Sequence, residues 1–299
     1  MSDEPQYLAG IDLGGSSVKA VAVTVDGVML EQKILVFEPG AAMEWAARIK
    51  EVLGFFAKTF GGPPLATGLS APGLASKDER RIAAMPGRLA GLEGLDWTGY
   101  LGTDKPVRVL NDAHAALLGE AWIGAARGRR NVAMLTLGTG VGGALLIEGQ
   151  LYRGHIGRAG HLGHVTLDSA SEPDITGMPG SLEDAIGNCT IESRSGGRYG
   201  STHELLESVR GGDGGARLIW GRSVRGLACA LASIMNVVDP ELIVIGGGIA
   251  RAGDLLFDLL RGWMAEFEWR PTGEAVEIVP ATLGEFAGAF GAAIHAWRG

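Results

Sequence analysis

The sequence predicts an α/β protein made of two similar facing lobes, and the residues around two glycine-rich loops are the main reason. The first loop, Gly14 to Ser17, follows an apolar strand at 7–11 and precedes a β-rich segment that ends at Asp26-Gly27. Asp-Gly is a strong hairpin signal, and residues 28–37 then predict a third strand. The loop therefore joins strand to strand, whereas a Rossmann or P-loop nucleotide site requires a helix after the glycines.

The same layout recurs about 124 residues later. A strand at 131–137 leads into the loop Gly138-Thr139-Gly140-Val141-Gly142-Gly143, and a strand at 144–147 ends in a turn. Two such units indicate a duplicated architecture, although two unrelated hairpins would give the same pattern. We place the lobe boundary at residue 112, with 1–112 in one lobe and 113–283 in the other, and expect a final helix, 284–299, to join the first lobe.

Hydrophobic periodicity and turn residues place the remaining elements. Helices are predicted over 41–60, from 112 to about 123, over 224–238, from about 253, and over 284–297; strands are predicted over 65–69, 107–110, 242–245 and 276–279. Residues 154–200, rich in glycine, serine and charge, are predicted to form a long functional loop region with one short helix.

Composition and charge exclude several classes of function. With 46% hydrophobic and 20% charged residues, the chain can build a sizeable core. A net charge of −8 argues against nucleic acid or an anionic membrane as partner, because both attract basic surfaces. Cys189 and Cys229 give no disulfide framework, and no signal peptide or apolar run of about 20 residues is evident. We therefore expect a cytoplasmic protein.

A negatively charged protein must bind an anionic substrate through local devices such as backbone N–H groups. Three glycine-rich loops, each after an apolar strand, supply them, because glycine allows positive φ and close approach of the backbone. We predict that Ser16, Ser17 and Thr139 add hydroxyl donors and that Lys19 neutralises phosphate charge. The third loop, Gly246-Gly247-Gly248, precedes a helix and can lie against a purine and its ribose. The alternative is that these loops are only tight turns.

Two acidic positions at strand ends are candidates for the chemistry. Asp12 can hold Mg²⁺, directly or through water, or it can be a turn-forming residue. Asn111 and Asp112 lie where a strand meets a helix, so either can be an N-cap. In the functional alternative, Asp112 accepts a substrate hydroxyl proton and Asn111 binds a neighbouring hydroxyl. The helix N-terminus would keep Asp112 ionised and weakly basic, which is adequate because phosphoryl transfer depends more on orientation than on basicity.

Several histidines lie in the long loop region. His155, His161 and His164 are close in sequence, and a metal site is conceivable there. Neither a HExxH helix nor a CxxC pair accompanies them. We therefore favour hydrogen bonding of a sugar by His164 over metal binding, and an ordinary loop histidine with no such role stays the alternative.

Four segments together resemble the ROK family (repressor, open reading frame, kinase) of the actin–hexokinase superfamily. They are Asp12-Leu-Gly-Gly-Ser-Ser with Lys19, the run from Asn111-Asp112-Ala113-His114 to Gly119-Glu120, Gly138-Thr-Gly-Val-Gly-Gly, and Asp239-Pro-Glu-Leu-Ile-Val-Ile-Gly-Gly-Gly. They occur in order and cover almost the whole chain. The resemblance implies an α/β, two-lobed actin-like ATPase (ribonuclease H-like) fold with a cleft between the lobes, and ATP-dependent phosphorylation of a sugar hydroxyl.

The resemblance also implies the ligands and the site. ATP and Mg²⁺ would be the cofactors, Asp112 the catalytic base, and the sugar contacts would come from Pro72-Gly73, Asn111-Asp112, His164 and Glu183. A homodimer is common in such proteins. Many members are repressors with a helix-turn-helix ahead of the kinase core; here the first strand begins near Tyr7, so we expect no such module.

The sequence departs from the family pattern on the sugar side. The family often carries Glu-x-Gly-His, in which the glutamate contacts the sugar, but here the segment is His161-Leu162-Gly163-His164. Arg88-Leu89 lies where the family often has Asn-Leu before a tryptophan, so Arg88 joins His161 as a candidate sugar contact. Imidazole in place of a carboxylate changes which hydroxyls are bound. The sugar is therefore left open among glucose, another hexose, a ketose, an amino sugar and a longer sugar.

The zinc motif of the family, Cys-x-Cys-Gly-x-x-Gly-Cys-x-Glu, is replaced by the segment from Asp174 to Glu183. The spacing is kept, but Asp174, Thr176 and Ser181 lie where the three thiols would be. A tetrahedral zinc site cannot be built from these groups in the same way, so we predict no structural zinc. Two alternative functions remain: a non-catalytic sugar or nucleotide sensor, and a kinase that uses polyphosphate, for which the sequence offers no long basic groove.

Overall fold

The computed structural model describes residues 6–38, 40, 43–85 and 89–299. These residues form two compact units. The first comprises the described residues up to Gly128 together with Leu151–Ala159 and Thr282–Gly299, and the second comprises Arg129–Gln150 and Gly160–Ala281.

The elements are as follows in chain order. The strands are β1 (Leu8–Leu13), β2 (Ser17–Val23), β3 (Met29–Val36), β4 (Ala66–Ala71), β5 (Leu74–Ala75), β6 (Ile82–Ala84), β7 (Val107–Asn111), β8 (Val132–Leu137), β9 (Val141–Ile147), β10 (Gln150–Leu151), β11 (Leu242–Gly246) and β12 (Glu277–Pro280). The α-helices are α1 (Glu44–Thr59), α2 (Trp97–Leu101), α3 (Asp112–Ile123), α4 (Leu182–Ile186), α5 (Ile191–Arg194), α6 (Thr202–Arg210), α7 (Gly214–Val238), α8 (Asp254–Phe267) and α9 (Ala287–Arg298). Short 3₁₀ helices lie at Leu162–His164, Asn188–Thr190, Ile249–Ala252 and Gly284–Phe286.

Two five-stranded sheets share one topology. The strand orders are β3-β2-β1-β4-β7 in one sheet and β10-β9-β8-β11-β12 in the other. In both, the glycine loop joins an antiparallel pair, β1–β2 or β8–β9, and the next strand lies parallel to the first of that pair. The duplicated strand–loop–strand architecture is therefore confirmed in each sheet. The two loops begin at the carboxyl ends of β1 and β8, and each of these is the central strand of its own sheet.

Helix α9 forms the inner layer of the first unit because small residues let it approach its neighbours closely. A Cβ atom added to Gly291 of α9 would lie 1.6 Å from the carbonyl oxygen of Ala115 in α3. Glycines of β1 and β4 accommodate α9 in the same way: a Cβ at Gly10 or Gly68 would lie 1.9 Å from a carbonyl oxygen of α9. Packing of α3 on α9 keeps α3 in the first unit, so the observed division falls after Gly128 and differs from the predicted boundary at 112.

Glu120, near the end of α3, is fully buried and holds the chain at the start of the last segment of this unit. Its carboxylate accepts hydrogen bonds from the N–H groups of Ala125, Thr282 and Leu283 and from the hydroxyl of Thr282, at 2.7–2.9 Å. Four donors satisfy the buried carboxylate. These hydrogen bonds hold the segment that precedes α9 against the end of α3.

Helix α7 is the central helix of the second core. By length and composition it could cross a membrane, but half of its most apolar stretch is buried. Trp220, Val224, Leu227 and Leu231 on its inner face are fully buried in the core of the second unit. It is a core helix of a folded domain.

The structure differs from the predicted elements in several places. Helix α7 begins at Gly214 instead of residue 224, because Asp213 caps it by accepting a hydrogen bond from the N–H of Ala216 at 2.8 Å. The predicted long loop at 154–200 contains α4 and α5 as well as 3₁₀ turns, and α2, α6 and the β5–β6 hairpin were not predicted. Residues 41–42 of the predicted first helix, and the candidate sugar contact Arg88, lie outside the described residues.

Candidate active site

The first part of the site lies at the carboxyl edge of the first sheet. Asp12 on β1 is the register partner of Ser70 on β4, and Ala71 on β4 is the partner of Asn111 on β7. Because the carboxyl ends of parallel strands meet at one edge, these residues, the turn at Pro72-Gly73 and the start of α3 come together. The sequence prediction named most of this set but not Ser70.

Asp12 is a partly buried carboxylate whose ionisation is unfavourable. Its Oδ1 accepts a hydrogen bond of 2.7 Å from the hydroxyl of Ser70. Burial raises the pKa of Asp12 to about 6, and the charge of Asp112 raises it as well, while the Ser70 hydrogen bond and the charge of Lys19 oppose the rise. Gly288, in the first turn of α9, leaves room for this carboxylate: an added Cβ would lie 2.8 Å from the Asp12 Cγ. The arrangement leaves a desolvated anion with a need for positive charge.

Asn111 is the N-cap of α3. Its Oδ1 accepts hydrogen bonds from the N–H groups of Ala113 and His114, and its amide nitrogen donates to the carbonyl of Gly73 at 3.0 Å. Gly73 has φ +98°, a conformation that other residues rarely adopt. Asn111 therefore ties the Pro72-Gly73 turn to the start of α3. Asp112, the first residue of α3, is exposed, and its Oδ1 accepts a hydrogen bond from the N–H of Ala113.

The first glycine loop presents unused donors. The N–H of Gly14 donates to the carbonyl of Ser17 at 2.9 Å, which closes the turn. Among the described residues, the next two N–H groups, of Gly15 and Ser16, and the hydroxyls of Ser16 and Ser17 have no protein acceptor. A Cβ at Gly15 would meet open space. Consecutive free N–H groups of this kind form a concave site for an anion.

The second glycine loop repeats this arrangement. The N–H of Gly138 donates to the carbonyl of Gly140 at 2.9 Å, while the N–H groups of Thr139 and Gly140 find no acceptor within the described part of the chain. The N–H groups of Asn188 and Cys189 donate to the carbonyls of Gly138 and Thr139 and hold the loop from behind. The two loops therefore offer equivalent pairs of N–H donors, one pair in each unit.

We predicted that glycine occurs in these two loops because it allows a positive φ and a close approach of the backbone; the first of these reasons is wrong. None of Gly14, Gly15, Gly138, Gly140 and Gly142 has a positive φ. Close approach is the reason at Gly140, where a Cβ would lie 2.2 Å from a carboxylate oxygen of Glu183.

The third loop, Gly246-Gly247-Gly248, lies directly beside the second. Gly246 at the end of β11 is the register partner of Thr136 on β8. Gly247 has φ +87°, and a Cβ there would lie 2.3 Å from the carbonyl oxygen of Leu137. A Cβ at Gly248 would meet open space. The second unit thus brings two of the three predicted nucleotide loops into contact.

Lys19 has partners besides the predicted phosphate. It is the register partner of Asp12 across the β1–β2 hairpin, and its Nζ lies 3.4 Å from a carboxylate oxygen of Glu285. The half-exposed Glu285 lies in the turn before α9. The positive charge of Lys19 therefore acts on both Asp12 and Glu285.

The candidate sugar residues of the second unit surround the second glycine loop. A Cβ at Gly163 would lie 1.9 Å from the carbonyl oxygen of Val141, so the His161–His164 segment packs directly on the start of β9. Glu183, in the first turn of α4, accepts a hydrogen bond of 2.8 Å from the N–H of Val141. His164 Nδ1 lies 2.8 Å from Oδ2 of Asp174.

The described residues contain no group of three or more His, Cys, Asp and Glu side chains placed to hold a metal ion. His155 lies in the first unit, whereas His161 and His164 lie in the second. The metal site considered for these histidines is not formed among the residues that the structure describes.

Three further residues escaped the sequence analysis. Ser70 had a possible signal, a hydroxyl at the end of a buried strand. Arg194 had no such signal. It is a partly buried cation behind the second loop, and its guanidinium donates to the carbonyl of Gly187 at 2.7 Å and to the hydroxyls of Thr190 and Ser223. Burial lowers the pKa of Arg194 to about 10. Glu285, the partner of Lys19, follows a glycine in a segment that gave no sign of proximity to β2.

Comparison with known proteins then identifies the family. The model of the ROK family matches residues 8–298. The chain belongs to the ROK family. A glucokinase from Thermotoga maritima is 31% identical over 96% of this chain and 96% of its own length.

Two solved ROK structures match nearly the whole chain. The ROK hexokinase from Thermus thermophilus has a TM-score of 0.82 at 27% identity and covers 98% of each chain. A ROK family glucokinase from Streptomyces griseus, in complex with glucose and AMPPNP, has a TM-score of 0.79 at 26% identity over 98% of this chain and 100% of that one. The predicted fold class, an actin-like α/β fold, and the predicted enzyme class, a sugar kinase, are confirmed.

Proposed function

We propose that this ROK protein transfers the terminal phosphoryl group of ATP to a hydroxyl of a hexose-type sugar, with Asp112 as the general base. The relation between Asp112 and Asp12 carries the proposal. Asp112 is exposed at the N-terminus of α3, and it is close enough to the partly buried Asp12 for its charge to raise the pKa of that residue. In many enzymes that transfer a phosphoryl group to an alcohol, one carboxylate receives the hydroxyl proton and another helps to hold a metal ion.

The surroundings of Asp12 fit Mg²⁺. Carboxylate oxygens are preferred ligands of this ion, which is usually held by one or two protein carboxylates and by substrate phosphates. The raised pKa of Asp12 marks an anion that a nearby cation would stabilise. Asp12 would hold the ion directly or through water, and the ion would neutralise charge on the phosphates.

The two N–H pairs, of Gly15 and Ser16 and of Thr139 and Gly140, are the proposed phosphate donors. Hydroxyls of Ser16, Ser17 and Thr139 would add to them, and Lys19 would supply positive charge. The third loop at Gly246–Gly248 would lie against the purine and ribose. AMPPNP in the related Streptomyces griseus structure supports a nucleoside triphosphate as donor.

The proposed sugar contacts come from two groups of residues, one in each unit. Asn111 ties the Pro72-Gly73 turn to the start of α3, next to Asp112. His161, His164 and Glu183 lie around the second loop. Arg88 stays a prediction. Glucose is the first sugar to test because relatives are named glucokinases, and His161 in place of the family glutamate makes other hexoses and amino sugars necessary members of the panel.

The test compares Asp112→Asn with a matched control in a coupled assay of ADP release. The variant keeps the shape of the side chain and removes the proton acceptor, so we expect kcat to fall by about 10²- to 10⁴-fold while calorimetric binding of sugar and ATP persists. Asp254→Asn is the control, because Asp254 is likewise the exposed first residue of a helix, α8. Near-normal turnover of Asp112→Asn would remove Asp112 from the catalytic role.

The same assay separates the alternatives. Wild-type protein that binds a sugar but phosphorylates none of the panel would be a sensor. Turnover with polyphosphate as sole donor, and none with ATP, would identify a polyphosphate kinase. A homodimer in the cytoplasm completes the proposal; light scattering should give twice the chain mass of 31.1 kDa.

A further inference from the structure

Asp174 is a buried carboxylate in an otherwise exposed turn. Its side chain is 0% exposed, whereas the neighbouring Ile175 is 71% exposed. A buried charge persists only if hydrogen bonds or opposite charges compensate it. Here the compensation is complete: Oδ1 accepts hydrogen bonds from the N–H and the hydroxyl of Thr176 and from the N–H of Met178, at 2.7–3.0 Å, and Oδ2 faces His164 Nδ1 at 2.8 Å.

These bonds organise the segment that aligns with the family zinc motif. The N–H of Asp174 donates to the carbonyl of Met178, and the N–H of Gly177 donates to the carbonyl of Asp174, so the turn closes on itself. Ser181, at another thiol position, is buried and caps α4 by accepting a hydrogen bond from the N–H of Asp184. Each residue at a thiol position therefore has a hydrogen-bonding role, and Asp174 is the centre of the turn.

His164 is fixed from two sides. Gly163, its neighbour, packs against the backbone of Val141, so the main chain has little freedom. Asp174 fixes the ring. Burial alone would raise the pKa of Asp174, but the hydrogen bonds of Thr176, His164 and Met178 together hold it well below its usual range. An ionised carboxylate can only accept, so Nδ1 of His164 must be the atom that carries a proton.

We propose that Asp174 is a positioning residue that sets the tautomer of His164, with the proton on Nδ1, and so makes Nε2 the acceptor for a sugar hydroxyl. The proposal rests on the proposed function in one respect, that His164 contacts the sugar. The contact between His164 and Asp174, which lies within the second unit, does not depend on that function. A carboxylate hydrogen-bonded to one ring nitrogen decides the protonation of the other. In this chain an aspartate orients the histidine, and the turn around it is built without thiols.

Asp174→Asn tests this with little disturbance of the turn. The asparagine Oδ1 can still accept from Thr176 and Met178. Its NH₂ group then faces His164, and two donors cannot bond, so the ring must move its proton to Nε2 and accept at Nδ1. The substitution is expected to keep the fold and reverse the tautomer. Asp168→Asn is the matched control. Asp168 is exposed, lies in the same segment and caps its own turn through Ala170 and Ser171, and no histidine among the described residues is its partner.

The first readout is nitrogen-15 NMR of the histidine rings, with His164→Gln to assign the resonance. For the neutral ring of His164 we expect the proton on Nδ1 in the wild type and in Asp168→Asn, and on Nε2 in Asp174→Asn. A wild-type ring protonated on Nε2 would overturn the proposal, and this measurement needs neither enzymatic activity nor a folded Asp174 variant.

The second readout is kinetic. Asp174→Asn should raise KM for the sugar by about tenfold or more, as expected when a partner that orients a ligand is changed, and leave KM for ATP unaltered. Asp168→Asn should change neither constant. An equal rise in both KM values would mean that the turn acts only as structure. Failure of the wild type to phosphorylate any sugar would contradict the proposed function and leave the NMR result to decide the tautomer.

Discussion

The carboxylate of Asp12 accepts a 2.7 Å hydrogen bond from the hydroxyl of Ser70, its register partner on the neighbouring parallel strand. This bond favours the ionised form of Asp12, whereas burial and the charge of Asp112 disfavour it. Burial prevails and places the pKa at about 6. Asp12 therefore titrates well above the range of an ordinary aspartate, and the hydrogen bond from Ser70 keeps its pKa from rising further.

Ser70→Ala should shift the acidic limb of the activity profile. Removal of a hydrogen bond to the charged form raises the pKa of Asp12 further, by about one pH unit for a bond of ordinary strength. We expect kcat/KM for MgATP to fall at a correspondingly higher pH, measured between pH 5 and pH 8. Ser233→Ala, at an exposed position of α7, should leave the profile unchanged. An unmoved profile in Ser70→Ala would show that Asp12 does not control it.

Asp12→Asn should stabilise the protein while it abolishes activity. A carboxyl whose pKa is about 6 when folded and 3.8 when unfolded binds a proton preferentially in the folded state between those values, so the free energy of unfolding falls as pH rises through that window. Above pH 6 the full cost, roughly 3 kcal/mol, is present, and the amide removes it.

The measurement is Tm at pH 7.5 and at pH 4. We expect Tm of Asp12→Asn to exceed that of the wild type at pH 7.5 and to approach it at pH 4, with loss of MgATP turnover at both. Asp258→Asn, an exposed residue of α8, serves as control and should change stability by no more than about 0.5 kcal/mol. A lower Tm at pH 7.5 would mean that Asp12 is stabilised in the folded state by partners other than those seen.

Gly291→Ala should destabilise the first unit. The added Cβ would lie 1.6 Å from the carbonyl oxygen of Ala115, so α9 and α3 would have to separate, at a cost of about 1–3 kcal/mol or more. Gly262 lies in the middle of α8 on its exposed face, with open space around it. Gly262→Ala should therefore stabilise the protein by about 0.5–1 kcal/mol. Urea unfolding measures both. Equal stability of Gly291→Ala and the wild type would contradict the close packing of the two helices.

Local signals explain why much of the fold could be predicted. Asp26-Gly27 and Glu148-Gly149 mark hairpin turns, and the strands before and after each glycine loop are β-rich over a few residues. Elements with weak local signals were missed. The first turns of α7 contain Gly214 and Gly215, which obscure the helical stripe, and the capping aspartate before them becomes meaningful only once the helix is seen.

Residues of the candidate site were likewise predicted where local signals exist and missed where they do not. Its glycine loops, Asp12 and Asn111-Asp112 lie next to recognisable strand ends, so sequence order was enough to name them. Ser70, Asp174 and Glu285 act on residues 58, 10 and 266 positions away, and no periodicity or turn rule connects such pairs.

By itself, the sequence determined the duplicated α/β architecture, the ROK membership and the residue types at each loop, because these depend on short-range patterns of apolarity and turn formation. Only the tertiary structure decided the ionisation of Asp12, the partner of Lys19 and the orientation of His164. Those properties arise from burial and from hydrogen bonds between strands and turns that are remote in the chain, and they take their values only when the packed fold excludes water from around the carboxylates.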